Sequence, residues 1–277
     1  MRAAEFFSTE QGKKYLGIFQ DKLFVIKYGG AALESPHMMP YFLEDIAEMV
    51  RHGIKIVIVH GGGKKLSQRM KEKNLPVIFE NGLRKTSHEA AETAAEVFAE
   101  LNLEICENLK NFNIEPASYS DGSITEGELI DPAFPDNRIG RVTRIRAEKI
   151  DTNKLPVISS IGLDAENKYL NINADLVAVE AAKTLHARKI IFISDVNGIY
   201  LKPNDPDAKL SHVTESEIKK LIDDNILTGG MKLKIEMALD ALKNGVNKVH
   251  FIDGRIEHSI MIEIFTDQGI GTEIVHD

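Results

Sequence analysis

The chain is short of cysteine, of net positive charge and of long apolar runs, and each shortage removes a class of protein. Cys106 is the only cysteine in 277 residues, so neither an intrachain disulfide nor a cysteine-based zinc site exists, and a reducing compartment fits. The balance of 34 basic against 42 acidic residues leaves a formal charge of -8, which argues against a nucleic-acid or anionic-membrane surface. Any anionic ligand must therefore be held by local charge. No stretch approaches ~18 uninterrupted apolar residues, and the opening "MRAAEFFSTEQGKKYLGIFQDK" carries no apolar core of signal-peptide length. The expectation is a soluble, cytoplasmic protein that binds neither nucleic acid nor membrane. Both standard nucleotide fingerprints are missing as well: "GGGKKL" lacks the third glycine of the dinucleotide motif, and no G-x-x-x-x-G-K-[ST] surrounds it. No internal repeat or low-complexity linker marks a domain boundary.

What is present is an alternation of strand and helix, with 43% hydrophobic residues to build a core. "LFVIK" (23–27), "KIVIVH" (55–60), "LPVISSIG" (155–162), "KIIFISD" (189–195) and "KVHFID" (248–253) read as buried strands. Between them, Phe42, Ile46 and Met49 recur at helical spacing before Gly53, and Met231, Ile235, Leu239 and Leu242 form one stripe before Gly245. "KKLSQRMKEK" and "DLVAVEAAKTL" are helical too. Thr86 to Asn111 should be the longest helix, opened by Thr86 and Glu89 as a capping box. The pattern predicts an α/β fold, a three-layer αβα sandwich with a largely parallel central sheet, whose ligands collect beyond the carboxyl ends of the strands. Residues 114–150 differ, with turn residues around short alternating runs that suggest hairpins.

The chemistry concentrates where strands run into glycines. "KYGG" (27–30) and "VHGGGKK" (59–65) each join bare backbone to lysine, a combination that lets N–H groups approach an anion closely at a helix start. One such cluster alone is more often a tight turn. Further along, "NGLRKT" places Arg84 after a turn at a helix start, where a guanidinium can grip a carboxylate with two parallel bonds. "NINAD" puts Asn171, Asn173 and Asp175 at a helix N-terminus, "SDVNGIY" ends a strand with Asp195 and Gly198, and "TGGMKLK" opens a helix with Gly230, Lys232 and Lys234.

In this order, "VIKYGGAAL", "VIVHGGG", "NGLRKT", "PVISSIG", "NINAD", "ISDVNGIY", "GGMKLK" and "HSIMIEIFTDQGIGTEIV" resemble the N-acetylglutamate kinases of the amino-acid kinase superfamily, from Leu23 to Val275. The resemblance implies the amino-acid kinase fold and transfer of phosphate from ATP to the side-chain carboxylate of N-acetyl-L-glutamate, a step of arginine synthesis. It implies an acyl-amino-acid lobe over 22–185 and a nucleotide lobe over 186–277. Lys27 and Lys234 match the family's catalytic lysines and Asp175 their organiser. Gly29, Gly30, Gly62 and Gly63 match its backbone donors, and Arg84 and Asn171 the residues that hold the substrate's α-carboxylate and acetamido end. Asp195, Val196, Asn197, Gly198, Ile199 and Tyr200, with Gly230, Met231 and Lys232, match the nucleotide side. Mg2+ should arrive with ATP, with no dedicated metal site. The segment 1–21 resembles the N-terminal helix with which the arginine-inhibited branch pairs dimers into a hexamer, and Tyr15, Glu263 and Gly269 match its L-arginine site. Three positions depart from the family pattern: Lys64 stands where proline is usual, Lys232 where an apolar residue is usual, and "YSDGSITEGEL" replaces the usual middle stretch. A same-fold kinase for N-acetyl-α-aminoadipate or carbamate, and a non-catalytic amino-acid sensor, are the alternative readings.

Overall fold

The computed structural model describes residues 2–30, 33, 35–80, 82–195, 198–202, 205 and 208–277. Helices α1 (Ala3–Phe6) and α2 (Glu10–Phe19) precede β1 (Leu23–Tyr28), and α3 (Met39–Arg51) leads to β2 (Lys55–His60). Then come α4 (Gly63–Glu72), the short pair β3 (Phe79–Glu80) and β4 (Leu83–Arg84), and α5 (His88–Asn111). The middle of the chain holds β5 (Pro116–Tyr119), β6 (Thr125–Leu129), β7 (Ile139–Ile145), β8 (Leu155–Ser159), β9 (Ile161–Leu163) and β10 (Tyr169–Ile172), followed by α6 (Ala174–Thr184) and β11 (Lys189–Ser194). The last quarter contains β12 (Ile199–Tyr200), β13 (Lys209–Leu210), β14 (His212–Thr214), α7 (Glu215–Asp223), α8 (Gly229–Lys243), β15 (Lys248–Asp253), α9 (Ser259–Phe265) and β16 (Thr272–Val275).

The main sheet runs in the order β14-β16-β15-β11-β1-β2-β8-β5. Its strands from β15 to β5 pair in parallel, and β16 meets β15 antiparallel. Because side chains alternate along a strand, each central strand feeds two cores. Phe24, Ile26, Tyr28, Ile56, Ile58, Ile191 and Ile193 face α1, α2, α3, α9 and the C-terminal half of α5, while Val25, Val57, Val59, Ile190 and Phe192 face α6, α7 and α8. The three-layer sandwich expected from the alternation is therefore what forms. Lys27 shares the Val25 face, so the pleat alone aims it at the α6 side.

Beyond the carboxyl end of β8 the architecture changes. Ser159 closes β8 and Ile161 opens β9, so the single run expected over 155–162 bends out of the main sheet at Ser160 and enters a closed four-strand barrel, β10-β7-β6-β9. Of the hairpins expected in 114–150, β6–β7 forms, antiparallel, inside that barrel, while β5 instead follows α5 into the main sheet, parallel to β8. So small a barrel has no room for side chains at every inward position. A Cβ on Gly140 would lie 2.7 Å from Leu170 Cβ, and one on Gly162 2.6 Å from Ile172 Cδ1.

Residues 3–19 lie against the body of the molecule. Phe6, Phe7 and Phe19 are buried, and Phe7 stacks on the His52 ring at 4.1 Å and meets Phe265 edge-on at 4.8 Å. A ten-residue helix such as α2 is marginal alone, so docking on α9 and the core supplies its stability.

Candidate active site

The chain leaves β1 toward β2 on one side of the sheet and returns to β11 on the other, which opens a crevice at the carboxyl end of β1. Lys27 projects there from β1. Across from it α6 begins, with Asn173 as N-cap: its side-chain oxygen accepts from the backbone N–H of Asp175 at 2.9 Å and fixes the first turn. Asp175 is 4% exposed, and its two oxygens meet Lys27 Nζ at 3.0 Å and Lys234 Nζ, from α8, at 3.5 Å. Burial alone would raise the Asp175 pKa, but the two ammonium groups outweigh it and hold the carboxyl below its ordinary range. Lys232, two residues earlier on α8, points elsewhere: its side chain is exposed and lies 3.9 Å from Glu236. Of the two lysines of "GGMKLK", the fold brings Lys234 into the constellation.

The glycines lie beside it. Lys27, Gly29, Gly30, Gly61, Gly62 and Gly63 line a cavity of about 260 Å³, together with Ser160, Arg84 and Asn171. Helix α4 opens at Gly63, so its first N–H groups have no intrahelical acceptor. Glycine is required at position 62 because a Cβ there would come within 2.4 Å of Leu101 Cδ1 on α5. Behind this loop is a buried polar chain that the sequence did not announce. His60 Nδ1–H donates to Gly61 O at 2.9 Å and Nε2 accepts from Asn102 Nδ2 at 3.0 Å, while Asn102 Oδ1 accepts from Ser118 Oγ at 2.6 Å. Burial pushes the His60 pKa down to about 4, so the ring is neutral at physiological pH.

Arg84 and Asn171 both line the cavity and are joined through Thr86. Contrary to the expectation of a helix start, Arg84 lies on β4, and the capping box assigned to Thr86 does not form: Ser87 is the N-cap of α5, accepting from Ala90 N. Thr86 has better partners. Its hydroxyl donates to Arg84 O at 2.7 Å and accepts from Asn171 Nδ2 at 3.1 Å, its N–H reaches Asn137 Oδ1 at 3.0 Å, and its carbonyl accepts from Arg138 N at 2.6 Å. Arg138, buried and missed in the sequence, donates to Tyr169 O at 3.1 Å and pairs with Asp164, and its carbonyl accepts from Asn171 N at 3.0 Å. Arg84 donates through Nη2 to Gly63 O at 2.7 Å and Ser67 Oγ at 2.8 Å, and its guanidinium lies over the Phe79 ring at 4.6 Å. Its Nε–H and one Nη1–H keep no oxygen partner among the described residues, so they are available to a ligand.

On the other side of Lys27, Gly30 packs against Asp195, and Ile199 donates its N–H to Thr272 Oγ1 at 2.8 Å. Gly198 precedes Ile199, and Tyr200 pairs with Lys209 in the β12–β13 ribbon. Val196 and Asn197 lie outside the described residues. Gly230 stands in open space in the first turn of α8, and Met231 packs half-buried against the α6–α8 core. Among the described residues, no group of three His, Cys, Asp or Glu side chains is placed to hold a metal ion, and no helix is long and apolar enough to cross a membrane.

Tyr15, Glu263 and Gly269 gather elsewhere, where α2 meets the segment after α9. Tyr15 OH donates to Asp267 at 2.6 Å, and a Cβ on Gly269 would lie 3.4 Å from Glu263 Oε2. Glu263 accepts from His250 Nδ1 at 2.8 Å and from the N–H groups of Ile270 and Gly271 at 2.8 and 2.9 Å. Burial would raise its pKa, but these bonds hold it at about 2. Lys189 Nζ lies 2.9 Å from His250 Nε2, and burial lowers the lysine to about 8.

Known proteins similar to this chain identify its family. The amino acid kinase family matches residues 22–253. A protein of Akkermansia muciniphila named acetylglutamate kinase is 38% identical over 275 residues, covering 95% of this chain and 93% of its own length. One of the same name from Hydrogenobaculum is 38% identical over 277 residues, with 96% of each chain covered. The N-acetylglutamate synthase of Neisseria gonorrhoeae shares the fold, at 20% identity and a TM-score of 0.85 in its complex with coenzyme A and N-acetyl-glutamate, and at 19% and 0.80 in its complex with coenzyme A and L-arginine. The match takes in 99% of this chain but only 63% and 65% of those longer ones. The chain belongs to the amino acid kinase family, among the acetylglutamate kinases.

Proposed function

We propose that the chain transfers the γ-phosphoryl group of ATP to the side-chain carboxylate of N-acetyl-L-glutamate, in arginine biosynthesis in the cytoplasm. A carboxylate oxygen attacks the γ-phosphorus, the bond to the β-phosphate oxygen breaks, and an acyl phosphate and ADP result. The acceptor carboxylate, with an ordinary pKa of ~4.3, is already ionised at neutral pH, so no general base is needed. What the reaction needs is neutralisation of repulsion between two anions and of charge spread over the transferring group. The observation that carries the reading is the pair of ammonium groups, Lys27 and Lys234, converging from two elements on one buried carboxylate beside a glycine-lined cavity. Arg84 and Asn171 take the α-carboxylate and acetamido group, which assigns residues 22–185 to the acceptor. Asp195 to Tyr200 with the start of α8 take the nucleotide, which assigns residues 186–277 to ATP. Mg2+ arrives with ATP and is held mainly by its phosphates. Trapping the acyl phosphate as a hydroxamate, with N-acetylglutamate, N-acetyl-α-aminoadipate and carbamate in parallel, tests this. Product with N-acetylglutamate above the other two is expected, and none with any acceptor would favour a sensor.

L-Arginine acts as the feedback inhibitor of a hexamer. Support comes from α2 lying over Asp267 through Tyr15, and from Glu263, an acidic partner for a guanidinium, backed by His250 and Lys189, which the sequence reading had not singled out. Sedimentation and an arginine titration test this: a hexamer inhibited by millimolar arginine is expected, and Tyr15→Phe should need more arginine for the same inhibition. A dimer indifferent to arginine would overturn it.

A further inference from the structure

We infer that Thr86 is a positioning residue that fixes the sense of the Asn171 side-chain amide, and thereby makes the site demand an N–H on the acceptor's α-carbon substituent. The inference rests on the reading above, in which Asn171 meets the acylamido group. Its basis is a count of protons. The Thr86 hydroxyl has one hydrogen, and Arg84 O, which can only accept, takes it at 2.7 Å. Toward Asn171 the hydroxyl can then only accept, so the amide must present Nδ2–H, as it does at 3.1 Å. The flipped amide would either set Oδ1 against the hydroxyl oxygen or take the proton from Arg84 O and leave that carbonyl without it. Thr86 itself cannot turn to accommodate it, being 1% exposed and tied through N–H and carbonyl to Asn137 and Arg138.

With Nδ2 committed, Asn171 Oδ1 keeps no partner among the described residues, on a side chain that lines the cavity. An unpaired carbonyl oxygen selects a donor. An acylated α-amino group offers an N–H there. The ester isostere, an O-acyl 2-hydroxy acid, offers only an oxygen and leaves two acceptors facing each other, the arrangement that polar sites reject most strongly.

The test compares N-acetyl-L-glutamate with O-acetyl-2-hydroxyglutarate in hydroxamate trapping, for the unmodified protein and for Thr86→Val, Thr86→Ser and Asn171→Ala. The unmodified protein should prefer the amide by about tenfold or more in kcat/KM. Thr86→Val should raise the KM for N-acetylglutamate about tenfold, leave the KM for ATP within about twofold, and reduce the preference to within about threefold, because the freed amide can turn its N–H to the ester oxygen. Thr86→Ser, which keeps the hydroxyl, should restore both quantities, and Asn171→Ala should abolish the preference. If Thr86→Val unfolds, as thermal melting would report, Thr86→Ala carries the same comparison. Full preference in the hydroxyl-free variant with none in Asn171→Ala overturns the inference alone. Full preference in both overturns the inference and also the assignment of Asn171 to the acylamido group.

Discussion

Two buried carboxylates divide the labour in this molecule, and they are satisfied in opposite ways. Asp175 is held by two lysine side chains from different elements, and no backbone N–H reaches its oxygens among the described residues. Glu263 is held by two backbone amides and a buried imidazole. Lysine carries a point charge on a long stem, so Lys27 and Lys234 can turn toward a third group while the scaffold stays put. Backbone amides cannot turn away without moving the chain. The first arrangement suits charges that must be lent to a transferring phosphoryl group, and the second suits a fixed acidic wall.

The comparison breaks first, and most visibly, at the lysines. Lys27→Ala and Lys234→Ala should each lower kcat on the order of 10² or more, the loss expected for one transition-state donor, measured by steady-state hydroxamate formation. Equal effects on KM and none on kcat would mean that the pair only binds. Next in size is Arg84→Lys, which should raise the KM for N-acetylglutamate about tenfold with the KM for ATP unchanged, since one ammonium cannot keep the bonds to Gly63 O and Ser67 Oγ and also reach the acceptor.

Acid should loosen the fold behind the cradle. His60 titrates at about 4 when folded against 6.5 in the open chain, so the unfolded state binds the proton first. The stability tied to its neutral form is complete above 6.5 and is lost as pH falls toward 4, amounting to on the order of 3 kcal/mol. Urea melts between pH 7 and 4 should show this slope, and His60→Gln should flatten it. Glu263, depressed to about 2 from 4.5, adds a second loss only below pH 4.5, which separates the two windows. Smallest of all, Lys232→Ala should stay within about twofold of the unmodified protein in kcat, since its ammonium is exposed and its Glu236 pairing is weak.

The sheet and its helices were legible because apolar runs of five or six residues between glycines have few other solutions. The site was legible in part. Lys27, Asp175 and Lys234 converge as expected, and so do the glycines, since a strand end and a helix start define their places. The misreadings share a cause. Thr86 fits the local rule for a capping box, but Arg84 O and Asn171 lie 2.7 and 3.1 Å from its hydroxyl, and a partner 85 residues away is invisible to a four-residue pattern. The run 155–162 reads as one strand, yet the bend at Ser160 is set by a barrel whose other members come from three further segments. His60, Lys189 and His250 are polar residues in apolar strands, and Arg138 ends a polar run just before β7. Nothing local tells whether such a residue ends in solvent or in a buried chain of hydrogen bonds.

The tight barrel has a consequence for how the enzyme tolerates change. Asn171 is carried on β10, and β10 is kept in place by neighbours whose inward positions include Gly140 and Gly162, with Leu170 and Ile172 filling the space a side chain would need. In a saturation library screened for acceptor affinity, these two glycines should therefore score among the most intolerant positions although neither lines the cavity. A search for altered acceptor preference would do better to vary the filling residues, Leu170 and Ile172, and let the strand shift in small increments.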